Sequence, residues 1–483
     1  MAVESFVQDD DCVPLTGAGG TAPSLALLVR PRSAPEAARA VLGRGARGVV
    51  ARGHGGTCGD AAQNAGGTVL DLTGLDRIQG LDATAGVVVC EAGTGLDRLA
   101  RALLPHGWQP PLDLAGGLRP AGRRGPGTVG GALASGGLAG RLRSLELLTA
   151  DGSVRTVRPG DPLCDATTGG LGLTGVILSA TLALRPVETA YLRDRATGFR
   201  DADALLAHWT GDAPGERHAR AWVELSGRGR AVLTTAEPVP YDGLPRGHRA
   251  RRDPLAPPRS GGAGGLRPLP GLARAHALLP SGLRALSALP APAGTATGPG
   301  SGPGHVTGTS AGRSRPTGPL AALGGFGLPL PGLPGLPGAP GPVGPFVRYR
   351  CAVPEGREEA LRGILALLAH RRSPARAARH ARVERVHADG TGPLAFPVRG
   401  WCLALDVPAG ARGLGPFLDL VDERVAAAGG RVCLAEDARL RPALLPVMYP
   451  RLDAFRELRA AHDPRSVFRS DLARRLGVWK SWE

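Results

Sequence analysis

The chain is nearly without lysine: of its 58 basic residues only Lys480 is one, and the rest are arginine. An excess of Ala, Gly, Pro and Arg makes coding bias the first explanation and selection for guanidinium chemistry the second. Aromatic side chains are scarce as well, at 4% of residues. The arginines are scattered, with no helix-turn-helix, RNA-recognition or zinc-finger pattern, so no nucleic-acid partner is expected. The 7 cysteines (Cys12, Cys58, Cys90, Cys164, Cys351, Cys402 and Cys433) form no CxxC and no cluster with histidine at ligand spacing. Reduced thiols and no structural metal are expected. One long stretch, 319–347, carries no charge, but it holds eight prolines, which a helix interior cannot absorb, and a membrane span is rejected. Glycine recurs there at 332, 335, 338, 341 and 344, a collagen-like register too short for a triple helix, so a polyproline-II linker or disordered loop is expected. The opening residues M-A-V-E-S-F-V-Q-D-D-D-C lack the basic start and apolar core of a signal peptide, which predicts a cytoplasmic protein.

A net charge of +16 attracts phosphates and anionic membrane faces, so a phosphorylated substrate and a peripheral membrane contact both fit. At 483 residues the chain has room for two or three domains. Its strongest local signal is V-A-R-G-H-G-G-T-C-G-D-A-A-Q-N at 50–64, an apolar strand entering a loop with four glycines. Glycine reaches positive φ and presents no Cβ, so such a loop can lay bare backbone N–H groups against a phosphate. Two further loops, G-T-V-G-G-A-L-A at 127–134 and T-G-G-L-G-L-T-G-V-I at 168–177, carry the same pattern. Three cradles in order predict one large dinucleotide. Gly170, Gly172 and Gly175 match G-x-G-x-x-G literally, but a strand follows where that fingerprint needs a helix, and NAD(P) is rejected for this loop.

From Pro31 the pattern alternates between helix and strand. Ser33 and Glu36 form an S-x-x-E capping box with Pro35 in the first turn, predicting a helix through Leu42 and then a strand at 48–51. Strands are expected at 68–72 and 86–91, a helix at 96–104, a hairpin at 144–157 turning at Asp151-Gly152, and a strand at 176–184. Farther on, a hairpin is expected at 219–239 around 227–229, and a Gly/Pro-rich stretch at 254–345 is expected to be poorly ordered. A strand at 346–353, a helix at 355–371, a strand at 399–407 and a helix at 415–428 then predict a second α+β layer domain.

The three loops, the Asp-Gly hairpin between them and the C-terminal run V-M-Y-P-R-L-D-A-F-R-E-L-R-A-A-H-D-P-R-S-V-F-R-S-D-L-A-R-R-L-G together resemble one family. It is the FAD-dependent decaprenylphosphoryl-β-D-ribose 2′-oxidase family, a branch of the vanillyl-alcohol-oxidase-like flavoproteins, and the likeness spans 13–240 and 346–478. The resemblance implies an α+β protein with a PCMH-type FAD-binding domain of two α/β subdomains at 13–187. A substrate or cap domain at 188–430 and a C-terminal segment at 431–483 that returns to the FAD domain complete it. In such enzymes the flavin takes a hydride from the 2′-carbon of a ribose on a polyprenyl phosphate, and a partner short-chain reductase finishes the epimerisation for cell-wall synthesis. An alditol or sugar-lactone oxidase, or a paralogue that keeps only the fold, are the alternatives. By position, Gly53, His54, Gly55, Gly56, Thr57 and Cys58 would hold the pyrophosphate, and Thr128, Gly130, Gly131 and Ala134 the flavin and diphosphate. Gly175 and Val176 would take the adenine side. Relatives with covalent flavin place a histidine at the position of Gly56, so noncovalent FAD is expected.

The departures fall where the chemistry should sit. After V-G-G-A-L-A the family carries a longer polar stretch with an H-G-K-N-H-H run, where this chain has only S-G-G-L-A-G-R-L. The family's active-site lysine falls within V-E-R-V-H-A-D, on Arg385 or, one place off, on Glu384; a loop tyrosine becomes Cys58 and an asparagine Ala61. Oxidising an alcohol needs a group that takes the hydroxyl proton as hydride leaves. Arginine orients a phosphate but, with a pKa above about 12, makes a poor base. Arg385 is therefore expected to orient the substrate and His387 to act as base. Cys351 stands where the family has a cysteine near the flavin, and Asp437, Arg439 and 448–451 are expected to help close the FAD domain over the ring.

Overall fold

The structure is a computed structural model that describes residues 12–110, 127–190, 192–209, 219–227, 229–244, 255, 316–317 and 344–479. Its first sheet holds β1 (Cys12–Leu15), β2 (Ser24–Val29), β3 (Val49–Arg52) and β4 (Thr68–Asp71) in the order β1-β2-β4-β3. β4 runs parallel to both β2 and β3, while β1 is antiparallel to β2. The crossover is α1 (Ala34–Leu42), started as the capping box predicts: Ser33 Oγ accepts from Glu36 N–H. The Glu36 carboxylate reaches one residue farther back than the box requires, to Arg32 N–H.

The second sheet is antiparallel throughout, in the order β5 (Ile78–Asp82), β6 (Val87–Glu91), β10 (Val176–Ala183), β8 (Leu142–Leu148), β9 (Val154–Val157). The β8–β9 hairpin turns at Asp151-Gly152, with Gly152 at φ +83. Hydrogen bonds from Thr149 and Ser153 hold the Asp151 carboxyl well below the usual carboxylate range. A small ribbon pairs β7 (Trp108–Gln109) with β11 (Arg185–Pro186). α2 (Leu96–Leu103), α3 (Val129–Ala134) and α4 (Pro162–Thr167) lie among these strands. Both sheets share one apolar core: Val41 of α1, Leu70 of β4, Leu99 of α2, Leu145 of β8 and Ile177 of β10 belong to it, together with Phe468 from the tail.

The third sheet has eight strands, ordered β15 (Pro316–Thr317), β12 (Leu192–Phe199), β14 (Ala231–Pro238), β13 (Ala219–Glu224), β17 (His380–Val386), β18 (Gly400–Pro408), β16 (Phe346–Pro354), β19 (Arg431–Val432). Each pairing in it is antiparallel. α5 (Ala202–Trp209), α6 (Glu358–Ala369) and α7 (Leu414–Ala427) contribute Leu205, Leu361 and Leu418 to the core beside it. α6 begins three residues later than its periodicity predicts, because Gly356 turns at φ +78 and Glu355 is held outside by Arg385 and Arg399. The stretch expected to be poorly ordered, 254–345, lies outside the described residues except for Leu255, Pro316–Thr317 and 344–345.

The tail, with α8 (Leu445–Met448), α9 (Leu452–His462) and α10 (Asp471–Leu476), ties these parts together. Phe468 bridges Val49, Asp471 N–H donates to Gln63 O, and Arg475 grips both Asp60 and Asp437 at 2.9 Å. Ala61, Leu171 and Leu173 from the first half and Leu472 and Leu476 from the tail join the same core as the third sheet.

Candidate cofactor and substrate site

The first glycine loop is wrapped around the side chain that ends β3. Arg52 is buried, and its guanidinium donates to Thr16 O at 2.7 Å and Ala62 O at 3.1 Å. Gly55 sits at φ +65, a conformation that favours glycine, and a Cβ there would have to displace that guanidinium. The main-chain N–H groups of Gly55, Gly56 and Thr57 find no acceptor among the described residues. Beside them Thr57 Oγ1 is buried without a hydrogen-bond partner. Such an orphan costs about 1–3 kcal/mol unless a ligand fills it. Past this point the tail closes the loop. Cys58 N–H donates to the buried Glu436 carboxylate at 3.1 Å, and a Cβ on Gly59 would strike the Asp437 carbonyl.

The other two loops are in contact with the first but do not repeat its chemistry. Gly53 abuts Thr128 Oγ1, while Gly169 N–H donates to Leu133 O and Leu171 N–H to Ala134 O, so all three loops converge. Several of their donors, however, are already used. Val129 N–H goes to Thr94 O at 3.0 Å and Gly130 N–H to Ala92 O at 2.7 Å; Gly131 N–H goes to the N-cap oxygen of Thr128. At these residues the N–H groups are therefore not open to a phosphate. At Gly130 a Cβ would lie 2.8 Å from Ala92 Cβ, and at Gly175 one would lie 2.8 Å from Leu148 O. Val176 is buried in β10. The absent side chains at Gly130 and Gly175 let backbones approach each other. His54 is half-buried beside Gly95, the residue that caps α2.

Opposite the loops stands a polar face of the third sheet. Side chains alternate along β17, so Ala381 and Val383 enter the core while Arg382 and Glu384 point the other way. In register, Glu384 faces Arg220 of β13 on one side and Cys402 of β18 on the other; Arg382 faces Ala404, which faces Arg350 of β16. Arg220 Nε donates to Glu384 Oε1 at 2.7 Å, and Arg382 Nε lies 3.2 Å from the same oxygen. Burial pushes the Glu384 carboxyl up, but Arg220, Arg382 and Arg350 outweigh it and hold the group below the usual carboxylate range. Arg350 donates to Cys402 Sγ at 3.3 Å and lies over the Phe396 ring at 4.9 Å. Next along β16, Arg348 pairs bidentately with Asp406 at 2.6 and 2.7 Å, within electrostatic reach of Cys58 and Glu436.

Segment 387–399 links this face to the third loop: Gly392 packs on the carbonyls of Asp165 and Thr168, and Ala395 on Gly169. At the other end of the sheet Phe346 N–H donates to Gly19 O at 2.8 Å, and Gly19 leans on Cys58. Arg385 is not on the polar face. Its guanidinium donates to Trp209 O and Glu355, each at 2.7 Å, and lies over the Trp401 ring, which corrects its expected place against the substrate. The physical reason is strand parity: one residue along β17 inverts the side chain. His387 is exposed, one residue past the end of β17. Cys351 is buried in the core beside the sheet. Asp437 holds Arg475, and Arg439 donates to Asp419 and Asp422, so this pair of sequence candidates fastens the tail and α7. Glu436 and the Arg220, Arg350, Arg382 group had no local signal; only the family tail A-E-D-A-R pointed near the first of them.

The first loop fits an FAD diphosphate by its own chemistry: open N–H groups and an orphan hydroxyl lie on one short turn. A model of the FAD binding domain family matches residues 25–158. The chain is 42% identical over 399 residues to an uncharacterized protein in the mprA 5′ region of Streptomyces coelicolor, covering 79% of this chain and 100% of that one. It is 33% identical over 489 residues to the decaprenylphosphoryl-β-D-ribose oxidase of Mycolicibacterium smegmatis, covering 96% and 97%. A shorter match, 33% over 148 residues, covers 29% of this chain and 36% of an alditol oxidase from Streptomyces. Among the described residues no helix is long and apolar enough to cross a membrane, and no group of His, Cys, Asp or Glu could hold a metal ion. With near full-length similarity, a matching FAD domain and a loop that fits the cofactor, the chain belongs to the decaprenylphosphoryl-β-D-ribose oxidase family of FAD-binding oxidoreductases.

Proposed function

We propose that this protein oxidises a secondary hydroxyl of a sugar, the first candidate being the 2′-hydroxyl of a pentose linked to a polyprenyl phosphate. The observation that carries this is the convergence of the glycine loops facing a buried polar sheet face rich in guanidinium. FAD, held noncovalently by Gly55, Gly56 and Thr57 with the surrounding loop, supplies the hydride acceptor. The sheet face receives the sugar. Glu384, kept ionised by its arginines, orients groups and takes up no proton near neutrality. His387, one residue past the end of β17, is assigned the hydroxyl proton. Arg385 acts at one remove, by fixing α5 and Glu355 beneath the strand. A partner short-chain reductase would consume the keto sugar, and the basic surface would rest against anionic lipid.

An absorption spectrum of the purified protein followed by anaerobic titration with sugars tests this directly. A yellow protein bleached by a prenyl phosphoryl ribose supports the assignment. Bleaching by free alditols with peroxide release, or a protein that stays colourless with added FAD, overturns it. His387→Asn should lower kcat by about 10²–10⁴-fold with flavin content unchanged.

A further inference from the structure

Four adjacent strands, β13, β17, β18 and β16, bring Arg220, Arg382 and Arg350 around a floor of small side chains, Ala352, Cys402 and Ala404. Glu384 lies within the group, but Arg220 and Arg382 share its one oxygen, Oε1. Arg382 Nε lies 3.2 Å from that oxygen without making a hydrogen bond, and the Arg382 side chain keeps 13% exposure. The Phe396 ring fixes the plane of Arg350, and Phe396 belongs to the segment seated on the third glycine loop. Arg348, on the same face and paired with Asp406, lies within electrostatic range of Cys58 of the first. The cluster thus looks onto the ground between those loops.

We propose that Arg382 and Arg350, flanking Ala404, form a phosphate-binding subsite for the sugar substrate, with Glu384 and Phe396 holding the two guanidiniums in place. The inference deepens the sugar-oxidising function and rests on it. Planar guanidinium forks match phosphate oxygens two at a time, and the residues between the two arginines in register, Ala352, Cys402 and Ala404, are small. The phosphate could belong to a lipid-linked diester or to a soluble monoester, and both present the same oxygens.

Calorimetric titration of the full-length FAD-loaded protein with inorganic phosphate, ribose 5-phosphate, a short-chain prenyl phosphoryl ribose and plain ribose tests the subsite. Wild type should bind a phosphate-bearing ligand more tightly than ribose, and Arg382→Gln should weaken that binding by about tenfold while ribose affinity stays the same. Arg382→Lys should restore part of it, since charge survives without the fork. Preference for the prenyl diester assigns the phosphate to a lipid-linked substrate, and preference for ribose 5-phosphate to a soluble one. Equal affinity of wild type for ribose and the phosphorylated ligands overturns the proposal, even if Arg382→Gln fails to fold. Phosphate binding unmoved by Arg382→Gln overturns it too. So does loss of FAD from that variant, which would give the arginines to the cofactor. No outcome depends on turnover, so a failed subsite leaves sugar oxidation standing.

Discussion

The first glycine loop and the other two look alike in sequence and differ in which of their donors are spent. At 53–59 glycine keeps donors open: the N–H groups of Gly55, Gly56 and Thr57 have no acceptor among the described residues, and Thr57 Oγ1 waits beside them. At Gly130, Gly169, Gly170 and Gly175 glycine lets main chains approach, and the donors at Val129, Gly130, Gly169 and Leu171 are spent on neighbouring carbonyls. A glycine-rich loop is thus a statement about missing side chains. What fills the vacated space, ligand or backbone, depends on which strand runs alongside.

Substitutions can break or sharpen this contrast. The largest effect is expected at Gly59, where a Cβ meets the Asp437 main chain: Gly59→Val should cost about 3 kcal/mol or more, lowering the melting temperature and flavin content together. A variant that melts like wild type would show that the tail does not close this loop. Next comes Gly130→Val, expected to cost about 1–3 kcal/mol through Ala92 and to lose flavin only because the fold loosens. If the FAD-free protein melts normally while flavin is lost, the second loop faces the ligand after all. Thr57→Val should do the reverse, weakening FAD by about tenfold in a flavin titration and leaving the FAD-free melting temperature unchanged or slightly raised. The smallest effect belongs to Gly172, at φ +76 with open space around it: alanine there should cost about 1 kcal/mol of backbone strain and leave flavin binding untouched.

Much of the fold was legible. Ser33 with Glu36 starts α1, Asp151-Gly152 turns the β8–β9 hairpin, and Gly227–Gly229 separates β13 from β14, all through short-range chemistry. The site was legible only in part. Cys58 meets Glu436 across 378 residues and Arg220 meets Glu384 across 164, distances over which local spacing carries no information. Arg385 and Glu384 differ by a single position, and a motif comparison uncertain by that amount cannot say which one faces the cleft.

Many of the strands and helices, the turn residues and the family were already determined by the amino-acid sequence, because periodicity, capping and turn chemistry act over a few residues. Tertiary structure alone decided which glycines leave donors for a cofactor and which let chains pack. It likewise decided that Arg382 rather than Arg385 stands on the polar face. Those outcomes depend on partners brought in from far along the chain, and on strand parity, which register sets and composition does not.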